Sequence, residues 1–319
     1  MRELVLTRHN ELIDPLVRVW GWEIPVYLFL GGWVAGMMIL VGYFLLRGRN
    51  REDTCVCSVL PGTSFVLLSL GMGALFLDLE HKLYVWRLYT TFEVTSPMSW
   101  GAWILVLIYP AGLLFGLGSL DAAQRAWLGA RTPAFLRGPL ARLTDFAGAH
   151  RRAILVTSVL MGVGLGLYTG LLLGTMPSRL AWNSAVVGPL FLASGVSTGA
   201  ASLLLLRLDE AERKFLVRWD AVAIGAELVL IVLLLLGWAT SGEAGRLAAR
   251  SFLGGPYTAV FWSLVVVVGL LVPLAMELLE SRRHLPFVAL VPVLILAGGL
   301  ALRWILLAAG QASAFRLLP

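Results

Sequence analysis

The chain alternates long apolar stretches with short connectors that hold nearly all of its charge. Uncharged runs cover residues 24–46, 54–77, 94–120, 153–178, 180–206, 251–276 and 285–302, and the stretch 221–240 is interrupted only by Glu227. A helix that crosses the hydrocarbon core of a bilayer needs about 20 mostly apolar residues. A transmembrane β-barrel would instead show segments of about ten residues with alternating polarity, and the sequence has none. The pattern predicts an all-α integral membrane protein with eight transmembrane helices, over roughly 19–46, 57–79, 98–119, 153–174, 183–206, 220–240, 257–279 and 286–309.

Composition agrees. Hydrophobic residues make up 59% of the 319 and charged residues 14%, whereas soluble domains run at about 45–50% and about 25%. A soluble enzyme, a disordered chain and a nucleic-acid partner are excluded. The net charge of +6 follows from basic residues in the connectors, as the positive-inside bias requires. Connectors on one side carry fifteen Lys and Arg and those on the other carry nine, with Arg303 alone inside a span. The richer side should be cytoplasmic, so both termini should face outward, towards the periplasm of a bacterium. The connector over 119–152, with six arginines, dominates that count. No cleavable signal pattern is evident, because the first apolar stretch is too long for a signal core. Cys55 and Cys57 cannot build a disulfide framework or a four-thiolate iron–sulfur site.

Gly32-x-x-x-Gly36 in the first helix recurs as Gly195-x-x-x-Gly199 in the fifth, each after Phe-Leu. This suggests two parallel four-helix bundles, although small-xxx-small spacing is also ordinary packing chemistry between membrane helices. The expected division is an N-terminal segment over 1–18, a first bundle over 19–174, a second over 175–309, and a tail over 310–319.

Ionisable groups inside a bilayer are expensive, so each is a functional candidate. At about 1.5 Å of rise per residue, Glu23, Tyr27, Asp78, His81, Tyr168 and Arg303 fall into one outer layer. Glu227, only about 10 Å into its helix from the inside, and Glu277 are expected in the inner half. That reading leaves Glu227 and Arg303 about 15 Å apart in depth and unpaired, with Arg303 an outer anchor within reach of Asp78 or Glu23. An outer layer of phenol, imidazole and carboxyl groups suits a quinone: phenols and imidazoles donate to its carbonyls, and carboxyls or His exchange the protons of its redox reaction. Trp20, Trp22 and Trp100 also fit an interfacial aromatic belt. Glu227 and Glu277 are candidates for a proton path. None of His9, His81, His150 and His284 lies in a predicted span, so a bilayer-embedded bis-histidine haem is not expected, nor is any metal in this chain.

These motifs resemble the NrfD-like membrane subunits of the polysulfide reductase type. The resemblance rests on Asp78-Leu79 with the residues up to Arg87, on Ser96-Pro97-Met98-Ser99-Trp100-Gly101, on Trp20-Gly21-Trp22, on Tyr168-Thr169-Gly170, and on Leu302-Arg303-Trp304 with Gly310-Gln311. They occur in the family's order from Trp20 to Gln311. The resemblance implies an eight-helix subunit of the bacterial inner membrane, without haem, that exchanges electrons between the quinone pool, with menaquinone favoured, and a four-cluster ferredoxin-like iron–sulfur subunit. A molybdopterin catalytic subunit would complete the complex. It further implies a quinone pocket in the first bundle near the face that carries the termini, with Tyr168 as the quinone-contacting tyrosine of the YTG motif. Where relatives have Asn and His after W-x-W, this chain has Glu23 and Tyr27. The expected roles are Asp78, His81 and Glu23 in the chemistry, and Tyr168, Tyr27, Trp22, Trp100 and Arg303 in quinone binding. A secondary transporter and a passive membrane anchor are the competing readings. The first would show helices broken at matched midplane positions, and the second would need no layer of acids and tyrosines.

Overall fold

The computed structural model describes residues 20–47, 55–120, 122–176, 179–206, 208, 210–283 and 289–313, with side chains described from residue 62 in the second helix and up to residue 280 in the tenth. The N-terminal segment over 1–18, His9, His284 and most of the tail lie outside them, as do the side chains of Cys55 and Cys57. Every regular element among the described residues is helical.

The helices are α1 (Glu23–Leu46), α2 (Cys55–Asp78), α3 (Pro97–Ser119), α4 (Ala122–Arg131), α5 (Ala134–Ala149), α6 (Arg151–Gly174), α7 (Val187–Leu204), α8 (Glu210–Thr240), α9 (Gly242–Phe252), α10 and α11 (Leu290–Ala312). Thr258–Val260, Phe261–Leu271 and Val272–Arg283 run on as the single helix α10, whose middle section winds with the wider π-type turn. Seven of these helices (α1, α3, α6, α7, α8, α10 and α11) are long and apolar enough to cross a membrane, and the described part of α2, Gly62–Asp78, is a shorter apolar helix.

Their exposed faces are as apolar as their buried ones. On α8, Val222, Val229, Val232, Leu233 and Leu236 stand exposed while Ile224, Ile231 and Leu234 are buried. A helix that is hydrophobic all round belongs in a large core or in lipid, and in a chain this size such exposure fits lipid. The connector between α3 and α6 is built differently. Its helices α4 and α5 expose Trp127, Phe135 and Phe146 beside Arg125, Arg131, Arg137 and Arg142, the mixture found at a water–lipid boundary.

Helix α1 packs on α2, α6 and α7, and α3 closes a ring with α2 and α6. A second ring forms from α7 against α8 and α11, with α10 against α11 and α8. The two rings meet where α7 lies on α1 and α6, and where α11 touches α1. At that seam the recurring glycine motifs face each other. A Cβ on Gly195 would sit 2.7 Å from the Gly32 carbonyl oxygen, and one on Gly199 would sit 2.6 Å from the Gly36 carbonyl carbon. Only glycine lets the backbones approach this closely. Gly269 on α10 and Gly298 on α11 make a similar crossing.

The segment just before α1 is tied to the last turn of α11. The Trp20 backbone N–H donates to the Gln311 side-chain oxygen at 2.9 Å, and the Gln311 amide donates back to the Trp20 carbonyl at 3.1 Å. Trp20 stacks on Trp182 with ring centroids 5.1 Å apart. The Trp182 indole fills the space left by Gly310 and donates to the Leu306 carbonyl at 2.9 Å. These contacts give the Gly310-Gln311 pair a structural reason.

Most predicted spans match their helices within a few residues. The exception is α8, which starts at Glu210, ten residues before the expected 220. Its first turns are charged, which ended the apolar run, yet they continue the helix. Lys214 pairs with Glu210 at 2.7 Å, and Phe215 packs on Phe44 with centroids 4.4 Å apart.

Candidate functional site

Two polar centres emerge, one in each ring of helices. The first lies where α1 begins and α2 ends. Glu23 opens α1 and Asp78 closes α2; their carboxyls are electrostatic neighbours, and the Gly21 N–H donates to Asp78. One turn further along α1, Tyr27 is buried, and its phenol is close enough to those of Tyr168 and Tyr89 to interact with both. Tyr168, on α6, is also buried, and its ring lies directly on Gly101 of α3, where a Cβ would collide with it. The YTG and SPMSWG motifs therefore meet face to face.

The sequence pattern does not single out Tyr89. It stands in the short helix Arg87–Thr90, in the connector between α2 and α3, where no motif marks it. Burial, with Tyr109 nearby, pushes its phenol above the usual value, so it stays a protonated donor at neutral pH. This connector is held by the SPMSWG residues. Ser99 donates to the Thr91 carbonyl at 3.3 Å and accepts from the Glu93 N–H at 3.0 Å. The Trp100 indole donates to the Val94 carbonyl at 2.7 Å. Trp100 and Trp22 remain about half exposed at this end. His81 is exposed too, with its ring 6.4 Å from that of Tyr84. The structure thus groups Tyr27, Tyr168 and the unanticipated Tyr89, places Asp78 beside Glu23 near them, and leaves His81 on the connector.

The second centre surrounds Arg303, which is fully buried. Its guanidinium donates to the Leu28 carbonyl of α1 at 3.1 Å, to Ser194 Oγ at 3.1 Å and the Phe191 carbonyl at 3.2 Å on α7, and to the Gly299 carbonyl of its own helix at 2.9 Å. The rings of Phe29 and Phe191 lie 5.9 and 5.3 Å from its central carbon. Arg303 is therefore a clasp across the seam between the rings, not an outer anchor paired with Asp78 or Glu23. Buried Glu227 shares Ser194 with it and is close enough to feel its charge. The expected 15 Å separation in depth is corrected, and the cause is the early start of α8. Glu227 lies 17 residues from Glu210, roughly 25 Å along the helix, and Arg303 lies 13 residues from Leu290, roughly 20 Å along α11.

Two helical turns back along α8 is Asp220, fully buried, which accepts from Ser197 Oγ at 2.7 Å and faces Glu277 of α10. The apolar run begins one residue after Asp220, so the sequence pattern passes it by. No group of three or more His, Cys, Asp or Glu side chains that could hold a metal occurs among the described residues.

Apolar helices in this number, enclosing buried acids and an arginine, define a multi-pass integral membrane protein. Comparison with known proteins supplies the family. Residues 6–314 match the family described as polysulphide reductase, NrfD, and the chain belongs to it. It is 31% identical over 309 residues to the C subunit of polysulfide reductase from Wolinella succinogenes, covering 92% of this chain and 94% of that protein. It is 30% identical over 312 residues to the NrfD protein of Escherichia coli K12, covering 92% and 95%. A Haemophilus influenzae NrfD homolog is 27% identical over 311 residues, covering 92% and 94%.

Proposed function

We propose that this chain is the quinone-reactive membrane subunit of a respiratory oxidoreductase complex. The observation that carries the reading is the convergence of Tyr168, Tyr27 and Tyr89 next to the Asp78–Glu23 acids, at the end of the molecule where α1 begins. Quinol oxidation releases two electrons and two protons, and quinone reduction consumes them. Protonated phenols are donors of the kind that holds a quinone carbonyl. Asp78 and Glu23, at the polar rim of the cluster, are placed to exchange protons with water. Trp22 and Trp100 supply exposed aromatic surface beside them, and His81 gives the connector an imidazole at its edge. Gly101 leaves Tyr168 the room it needs beside α3. The arginine clasp at Arg303 holds the helix carrying Tyr27 against the second ring, so its part in binding is to position that helix.

On this reading α2 is the eighth membrane-spanning helix, and the two rings are two bundles, the first carrying the quinone site. Both termini face the periplasm and the chain sits in a bacterial inner membrane, as the excess of basic residues in the opposite connectors favours. Electrons pass to or from a four-cluster ferredoxin-like iron–sulfur subunit docked at the tyrosine end, and a molybdopterin subunit completes the complex. Menaquinone is the favoured substrate. Glu227 and Glu277 make proton translocation through the second bundle part of the proposal.

The reading is tested by purifying the chain from its native membrane in mild detergent and identifying the proteins and quinones that accompany it. An iron–sulfur subunit and bound quinone are expected. Asp78→Asn and Tyr168→Phe should each lower quinone-linked turnover of that complex, by about 10²-fold for the acid if it transfers a proton. Unchanged turnover in both variants would refute the site assignment, and a chain recovered alone with no quinone would favour a transporter.

A further inference from the structure

The carboxyl pair inside the second ring does not fit two ionised acids. Asp220 is 0% exposed and Glu277 is 2% exposed. One oxygen of Asp220 accepts from Ser197. Its other oxygen, and both oxygens of Glu277, are buried without a hydrogen-bond donor. The two carboxyls nonetheless face each other within bonding reach.

Among the described residues, the charged groups around the pair do not neutralise it. Glu227 lies on the same face of α8, and Glu280 is three residues further along α10; both are acids. Arg213 acts on Glu280, and Arg303 is engaged by Ser194, three backbone carbonyls and Glu227. Among the described residues the remaining facing group is the Ser197 hydroxyl of α7, already used. Two bare carboxylates in a space of low polarity repel each other and lose their hydration without recompense. A single proton between them removes the repulsion and halves the buried charge, because a protonated carboxyl donates and the ionised one accepts.

We propose that Asp220 and Glu277 form an acid pair that binds one exchangeable proton. It is filled from the end of the molecule where α8 begins. Glu280, partly buried and on the same face of α10 as Glu277, is the group through which the proton arrives. On the far side, Ser197 and Ser194 are one turn apart on α7, and Ser194 leads to Glu227 and Arg303. The pair is thus the first station of a polar ladder from that end of the second ring to the seam at Leu28. The inference extends the proton-translocation part of the proposal above, but its test needs neither quinone nor partner subunits. Failure of the quinone reading therefore leaves it standing, and its own failure leaves the quinone site untouched.

The experiment is infrared spectroscopy of the purified full chain in lipid nanodiscs, in H₂O and in D₂O. The wild type should show the carbonyl stretch of a protonated carboxylic acid, shifted in D₂O. Glu277→Gln and Asp220→Asn should each abolish that band, because the introduced amide donates to the remaining carboxylate and lets it ionise. Dicyclohexylcarbodiimide, which reacts with protonated carboxyls in apolar surroundings, should add once per wild-type chain, on Asp220 or Glu277 by mass spectrometry. If the variants fail to fold, as judged by circular dichroism, the wild-type band, its isotope shift and the adduct decide the matter. A missing band, a band retained in both variants, or a band indifferent to D₂O would overturn the proposal. A band that disappears when sodium replaces choline in the buffer would also overturn it, in favour of a metal-cation site.

Discussion

Replacing Arg303 with methionine removes four hydrogen bonds, three of them to other helices, and keeps most of the side-chain volume. Interhelical hydrogen bonds in membrane proteins average about 0.6 kcal/mol and reach about 1.7, so three amount to about 2–5 kcal/mol. The substitution also strips Glu227 of its cation, and removing one partner of a buried charge pair costs about 3–5 kcal/mol. These overlap, since part of the loss at Ser194 is the loss felt by Glu227. A total of about 3–5 kcal/mol is expected. The assay is unfolding of the purified chain in mixed micelles of increasing SDS content, followed by tryptophan fluorescence. The decisive comparison is a cycle with Glu227→Gln. Once that acid is neutral it no longer needs the guanidinium, so the double variant should be more stable than the sum of the single losses by about 1–3 kcal/mol. Strict additivity, or a loss below about 1 kcal/mol for Arg303→Met alone, would refute the picture of a clasp coupled to Glu227.

Other substitutions test the close approaches. Gly199→Val should force α7 off α1 and prevent stable folding, seen as aggregation in detergent and loss of the SDS unfolding transition; a normal transition would contradict the seam. Gly101→Ala must displace the Tyr168 ring, with an expected cost of about 1–3 kcal/mol and weakened quinone-linked turnover in the complex. Gln311→Ala removes the paired bonds to Trp20 and should cost about 1 kcal/mol, with faster amide exchange at residues 20–22 and 311–313 and little change elsewhere.

The helices were legible because a lipid-spanning helix must be apolar along its length, and charge marks its ends. The same rule failed where a helix outlasts its apolar run. The charge-rich stretch from Glu210 to Trp219 extends α8 as helix, pinned by Phe215 against Phe44. Starting that helix at 220 put Asp220 at its boundary and placed Glu227 about ten residues too close to that end. Tyr168 and Asp78 stand out as candidates in the sequence because they sit in distinctive text. Tyr89 does not, since a connector tyrosine reaches a buried cluster only through the fold of the connector, and Ser99 and Trp100 provide that fold. The recurring glycines read as an internal repeat. Their contact gives a direct reason for the likeness, as two helices that cross closely both need small residues at the crossing.

That crossing also bears on how the protein is made. Gly36 and its partner Gly195 are separated by 159 residues of sequence. At a synthesis rate of about 5–20 residues per second, α7 follows α1 out of the ribosome by roughly 10–30 seconds. During that interval α1, which ends up among the most enclosed of the helices, has its glycine face open to lipid and no permanent neighbour there. Until α7 arrives, the close crossing that fixes α1 against the second ring cannot form. A ribosome that stalls between them leaves an orphaned half with a sticky groove, which a membrane protease could use as its cue for removal.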